Sequence, residues 1–377
     1  MSASGATLTA TFEGVRTSPA PQEAGFRIGT SPSSFTVATV TTQDLLNSAN
    51  GSFSSNVSSL ASSTTYYYQA YMMVWDGTSA YKEIVSSTVG SFTTLANPAG
   101  IPTGWLELPA ITGDEDYVGK FYGSGGTAGT NRNYSYAYNY EYYASMWVAY
   151  PLCTSHQSGS GGSGNWTYNP NIDSNKQVKI TSNSYGTMYN AGSYSRGHQC
   201  PNASRKSNTQ MNNQTYYATN QTPQLQNKFN GSIWGALEGA VRGLTRSSSD
   251  TVYVVTGPLY RKVGGNETIS YLHGASNQNA NPAELPIPNY YWKAVLKVKR
   301  NSNGEITDAL AIGFWFDHRN YESAESYSDA EHIVSVDKIE EWTGLDLFTN
   351  LPGTNEYGIE KTAEANTTWD ANTFRNF

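Results

Sequence analysis

Tyr194-Ser195-Arg196-Gly197-His198-Gln199-Cys200-Pro201 is the stretch on which the reading of this chain turns. Of the five histidines, His156, His273, His318 and His332 lie among polar loop or helix-edge residues, where a solvated imidazole is the expected state. His198 keeps different company. Beside it stand a fixed cation, Arg196, and Gly197, which lets the backbone approach a ligand closely. Downstream come Asn220-Gln221-Thr222-Pro223-Gln224 and then Asn230-x-x-x-Trp234-x-x-x-Glu238. On a helix, positions 230, 234 and 238 step by four and stack on one side, presenting an amide oxygen and a carboxylate around a buried Trp.

These residue types fit one reaction. A neutral His is a general base near pH 7. An Asn carbonyl oxygen is a hard, neutral ligand suited to a hydrated Mg²⁺, and Arg sets positive charge against phosphate oxygens. Together they match hydrolysis of a phosphodiester. Taken singly each is bland: an R-G-H tripeptide is common, and Asn and Glu on one helix face are more often surface residues.

The combined pattern resembles the non-specific DNA/RNA endonucleases of the ββα-metal (His-Me finger) superfamily, endonuclease G among them. The D-R-G-H signature is matched by Ser195-Arg196-Gly197-His198, and S/T-N-x-x-P-Q by Thr219-Asn220-Gln221-Thr222-Pro223-Gln224. N-x-x-x-W-x-x-L-E is matched by Asn230, Trp234, Leu237 and Glu238, and V-Y-V-x-T-G-P-L by residues 252–259. Looser similarity runs from Trp147-Val148-Ala149-Tyr150 through Tyr291-Trp292-Lys293 to Thr343-Gly344-Leu345, so it covers most of residues 103–355.

The resemblance implies an Mg²⁺ cofactor, with Mn²⁺ or another divalent cation as substitutes, and DNA and RNA as partners through the phosphate backbone. It implies that His198 is the general base and Asn230 the direct protein ligand of the metal. Glu238 would order the metal's water, and Arg242 would contact the scissile phosphate. Asn220 would orient His198 or the nucleophile. Arg196 would brace the site, with Arg196, Arg242 and Gln224 facing substrate. Cys153 and Cys200 flank elements that meet at the site in the resembling fold, so one bridge or two free thiols are both expected states. Two departures stand out. The Asp of D-R-G-H is Ser195, and Gly164 precedes Asn165-Trp166 where some relatives carry a phosphate-binding Arg. A nucleic-acid-binding or adhesion protein with a decayed nuclease domain is therefore the rival reading, and a phosphodiesterase for small nucleotides a third.

Outward from this core, residues 196–262 hold eight basic side chains against two acidic, within a chain of net charge −7. A local cationic face of this kind can concentrate a polyanion. Charged residues make up 14% of the 377-residue chain, hydrophobic ones 38%, and there are 28 Tyr. That balance, with no 18-residue apolar run, excludes a coiled coil, a charged disordered chain and a membrane-spanning helix. It fits a β-rich protein secreted or held at the cell surface or in the periplasm, with Met1 read as the start after a removed leader.

Before the core, residues 5–95 read as short strands parted by turns. Thr7, Thr9 and Thr11 alternate with Leu8, Ala10 and Phe12, and Tyr66, Tyr68, Ala70, Met72 and Val74 share a period of two. Leu60, Thr64 and Tyr66 are similar to the entry of a late strand in fibronectin type III-like domains. The expected organisation is multidomain: an all-β sandwich over 1–97, a linker at 98–102 and an α+β nuclease domain with a ββα-metal element over 103–377. Within it we expect a Tyr-rich hairpin at 134–150, a flexible Gly/Ser loop at 156–164, a helix near 226–245, and strands at 251–255, 290–298 and 309–316. A short helix should run from a Ser335 cap to Gly344.

Overall fold

A two-residue period buries one side of a strand once a partner is found, and residues 6–12 find theirs across the chain. In the computed structural model, β1 (Ala6–Phe12) pairs antiparallel with β4 (Gly51–Val57). The structure describes residues 6–35, 37–41, 49–57, 60, 64–78, 80–93, 104–111, 115–123, 132–180, 193–274, 282–351 and 363–377. The expected linker lies outside them. Two compact units are present. One comprises Met1–Gly100, Ala110–Asp114 and Gly353–Gly358, the other Ile101–Pro109, Glu115–Pro352 and Ile359–Phe377.

The first unit adds β2 (Glu23–Gly29), β3 (Val37–Thr41), β5 (Thr65–Trp75), β6 (Tyr81–Val85) and β7 (Gly90–Thr93). These form a second antiparallel sheet in the order β3-β2-β5-β6, with β7 also on β5. Leu8 and Phe53 of the first sheet share a core with Phe26, Ile28, Met72 and Phe92 of the second. Tyr66, Tyr68, Ala70 and Val74 of β5 pack against the same core. The alternation in the sequence thus maps onto one buried face.

The second unit is built on a seven-stranded antiparallel sheet, in the order β18-β17-β16-β13-β10-β9-β8. Its strands are β8 (Tyr117–Tyr122), β9 (Arg132–Asn139), β10 (Ala144–Leu152), β13 (Val252–Leu259), β16 (Tyr290–Arg300), β17 (Ile306–Asp317) and β18 (Ile333–Val334). Tyr134, Tyr136, Tyr150, Val254, Tyr291, Val295 and Phe314 form one core with Phe229, Ile233, Trp234, Leu237 and Val241 of a single helical segment. Burying each such side chain stabilises by about 1.5–3 kcal/mol, so the helix is held firmly on the sheet.

That helix differs from the expected regular one. Residues Gln226–Trp234 are a π-helix, continued by an α-helix over Gly235–Arg242. The wider i→i+5 turn brings Phe229 and Trp234 into a stacked pair, 5.7 Å between centroids and 18° between planes. The segment also ends at Arg242 instead of 245. A later helix, Val336–Thr343, begins where Ser335 Oγ accepts from Lys338 N and ends at Gly344 with φ 75°.

The Gly/Ser loop is tethered, contrary to the flexible loop expected there. Gly161 N donates to Lys206 O (3.1 Å), Gly162 N to Asn212 Oδ1 (2.8 Å) and Ser163 N to Asn213 Oδ1 (2.9 Å). This lacing matters because the same stretch carries Trp166 to the site.

Candidate active site

Two further strands, β11 (Tyr194–His198) and β12 (Gln221–Leu225), form their own antiparallel pair directly before the π-helix. The register sets Ser195 opposite Gln224, Gly197 opposite Thr222 and His198 opposite Gln221. A Cβ at Gly197 would lie 2.1 Å from the Gln224 side chain, so only Gly fits the middle of Arg-Gly-His. The π-helix packs on both strands.

His198 is half-buried, its ring 4.9 Å from Trp166 and 4.8 Å from Tyr216 between centroids. Its Nε2 is buried without a hydrogen-bond partner. Burial pushes the imidazole down to about 4, so it is neutral at pH 7. The turn beyond it is stapled by fully buried Asn220. Oδ1 accepts from Cys200 N (2.9 Å), while Nδ2 donates to Cys200 O (2.9 Å) and Thr215 O (2.8 Å). Asn220 therefore holds the backbone that carries His198; among the described residues its side chain bonds to main-chain groups. Arg196 donates to Ile180 O (2.9 Å) and lies over Trp166 at 5.9 Å.

On the helix, half-buried Asn230 donates from Nδ2 to Ser195 Oγ at 2.8 Å. One face further along, burial raises the Glu238 carboxyl, while Lys293 and Arg242 pull it back down. Lys293 is itself fully buried, with Nζ 4.7 Å over the Trp234 ring and no hydrogen-bond partner. Burial lowers its ammonium and Glu238 counters the fall. Arg242 also has a buried, unpartnered Nη1. Cys200, two residues beyond His198, feels the charges of Lys293 and Glu238. Glu238 thus feels two cations, Lys293 and Arg242, each with a buried, unpartnered donor.

Several expectations need correction. Gln224, expected to face substrate, is fully buried, because the register turns its amide across Gly197. Cys153 and Cys200 are both buried free thiols, so the bridge is absent. Among the four histidines expected in solvent, only His273 is largely exposed, beside Glu284. His332 is buried against Phe316, and His156 accepts from Cys153 N. His318 accepts from Leu225 N (2.9 Å) through Nε2 and contacts Pro288 O (2.8 Å) through Nδ1. Burial pushes His318 down to about 4 and His156 to about 3. Gly164 has φ +69°, a left-handed conformation that an Arg there would adopt only with strain. Sequence reasoning gave no role to Lys293, Trp166 or Tyr216. A Lys inside the apolar strand Tyr290–Arg300 was the available signal for the first.

The model of the DNA/RNA non-specific endonuclease family matches residues 117–354. A nuclease of Serratia marcescens is 31% identical over 207 residues, 55% of this chain and 69% of that protein. The mitochondrial nuclease of Saccharomyces cerevisiae is 28% identical over 177 residues, 46% of this chain and 51% of that one. Nuclease 1, mitochondrial, of Schizosaccharomyces pombe is 29% identical over 170 residues, 44% and 50% of the two chains. The chain thus spans about half the length of these yeast relatives. A chain in the crystal structure of the EndoG/EndoGI complex aligns with TM-score 0.46 and 19% identity, over 59% of this chain and 85% of that one.

Proposed function

Because the chain belongs to the DNA/RNA non-specific endonuclease family, we propose that it is a metal-dependent endonuclease that hydrolyses phosphodiester bonds of DNA and RNA. Cleavage has little sequence specificity, since backbone contacts carry little base information, and leaves 5′-phosphate and 3′-hydroxyl ends. One observation carries the reading: a neutral imidazole, His198, stands on a strand against which the Asn230 helix packs.

The donor set fits a hydrated hard cation. Asn230 is committed through Nδ2, which leaves its carbonyl oxygen as the neutral hard ligand, with Glu238 as acceptor for the ion's water. Mg²⁺ held there, or Mn²⁺ in its place, would supply charge stabilisation in the reaction. With Nε2 buried, Nδ1 of His198 is the nitrogen that takes the proton from the attacking water. The Arg242 guanidinium, one turn beyond Glu238, would supply a charge-assisted hydrogen bond to the phosphate. β11, β12 and the following helix serve as the ββα-metal element.

Residues 103–377 contain every group in this scheme. Residues 1–97 are read as a fibronectin type III-like module of unassigned partner, consistent with seven strands in two sheets around one core. Export to the cell surface, periplasm or medium follows from composition. Among the described residues no helix is long and apolar enough to cross a membrane. The test is incubation with plasmid DNA and with RNA, with and without EDTA. Both are cut, EDTA stops the cutting, and the DNA ends ligate without kinase treatment. Binding without cleavage in Mg²⁺ or Mn²⁺ would instead select the decayed-nuclease alternative.

A further inference from the structure

Ser195 stands where the resembling motif has Asp, and its hydroxyl lies between the main-chain oxygen of Gln224 and the side-chain amide of Asn230. The main-chain oxygen of Gln224 can only accept, so Ser195 Oγ–H donates across the 3.3 Å contact. The lone pairs of that same oxygen receive Asn230 Nδ2–H at 2.8 Å. The relay therefore has one polarity, running from Asn230 through Ser195 to Gln224. A flipped Asn230 amide would set Oδ1 against Ser195 Oγ, whose single proton is already engaged. Ser195 could meet it only by turning that proton away from Gln224 O, which would lose its bond.

The Gln224 end does not drift, because its residue is fully buried and paired in register opposite Ser195. We infer that Ser195 is a positioning residue that locks the Asn230 amide with Oδ1 turned away from β11, ready for a divalent cation. A neutral hydroxyl thus does in this chain what orientation requires, without the charge of the motif's Asp. The inference rests on the nuclease reading in one respect, that Asn230 is the metal ligand.

Mn²⁺ titration of the full chain, followed by the paramagnetic resonance of the free ion, tests it without reference to activity. Loss of one neutral hydrogen bond corresponds to about 3–10-fold in affinity. Ser195→Ala should weaken Mn²⁺ binding by that factor, and Ser195→Thr, which keeps donor and acceptor, should stay within about twofold of the unmodified chain. Unchanged affinity in Ser195→Ala overturns the inference, as does Ser195→Thr binding as weakly as Ser195→Ala. Thermal unfolding of each variant shows whether the fold is intact, and where Ser195→Ala unfolds, the Thr variant alone decides. Asn230→Ala separates the two levels. If it binds Mn²⁺ like the unmodified chain, or if neither binds, the metal-ligand reading fails and this inference with it. If it binds far more weakly while Ser195→Ala does not, only the positioning role fails.

Discussion

Replacing Asn220 by Ala should destabilise the second unit by about 3–6 kcal/mol. The side chain is fully buried and makes three hydrogen bonds, to Cys200 N, Cys200 O and Thr215 O. Each buried group left without its partner costs about 1–3 kcal/mol, and taking the lower half of that range for three groups gives the sum. Asn220→Asp should cost more. A carboxylate still accepts from Cys200 N, but it faces two carbonyl oxygens to which it cannot donate. The assay is urea unfolding followed by Trp fluorescence, which reports chiefly on the second unit because Trp75 is the single Trp among residues 1–100. Well below the transition, Asn220→Ala should also cleave more slowly, since the displaced turn carries His198. A loss under about 1 kcal/mol would show that the turn after His198 is held by something other than this staple.

The pH dependence of stability has a definite sign. His318 is pushed down to about 4 in the fold, whereas the unfolded chain titrates near 6.5, so below that pH the unfolded state binds more protons. The contribution is complete above about pH 6.5, falls by about 2 kcal/mol at pH 5, and is lost further as pH drops through about 4. From pH 7 to pH 5 the unfolding free energy from urea melts should fall by about 2 kcal/mol more in the unmodified chain than in His318→Asn; equal pH sensitivity in both would reject the assignment. Lys293→Met removes a buried ammonium that lacks a hydrogen-bond partner. It also leaves Glu238 with one cation fewer, so the variant should be less stable, by about 1 kcal/mol or more, and should cleave about 10–100-fold more slowly because Glu238 loses its counter-charge. A variant as stable and as active as the unmodified chain would contradict the account of the cluster.

What was legible in the sequence followed from local rules. The face of β5 could be read from Tyr66, Tyr68, Ala70, Met72 and Val74, because a period of two is a property of the strand itself. Ser335 and Gly344 marked a helix at both ends, because capping depends on neighbours in the chain. The π-turn over Gln226–Trp234 was not legible: stacking of Phe229 on Trp234 is settled by the sheet beneath, which periodicity does not contain. Burial of His318 and His332 escaped for the same reason. Polar sequence neighbours say nothing of the strand or ring that arrives from elsewhere in the chain. At the candidate site, His198, Asn230 and Glu238 were singled out by motif spacing, and the roles expected of them came from the family resemblance. Trp166 reaches His198 only because the preceding loop is tied down by Asn212 and Asn213, a tertiary fact. Gln224 was assigned to substrate because its motif was legible and its register was not.

The central claim is that His198 moves the proton while Asn230 holds the metal, and one paired measurement tests it. Plasmid cleavage is followed across a Mg²⁺ titration for the unmodified chain, His198→Ala and Asn230→Ala, with DNA binding measured alongside. His198→Ala should bind DNA normally and lose about 10²–10⁴-fold in cleavage at every Mg²⁺ concentration. Asn230→Ala should recover part of its activity as Mg²⁺ rises. Cleavage by His198→Ala at the unmodified rate would contradict the account outright.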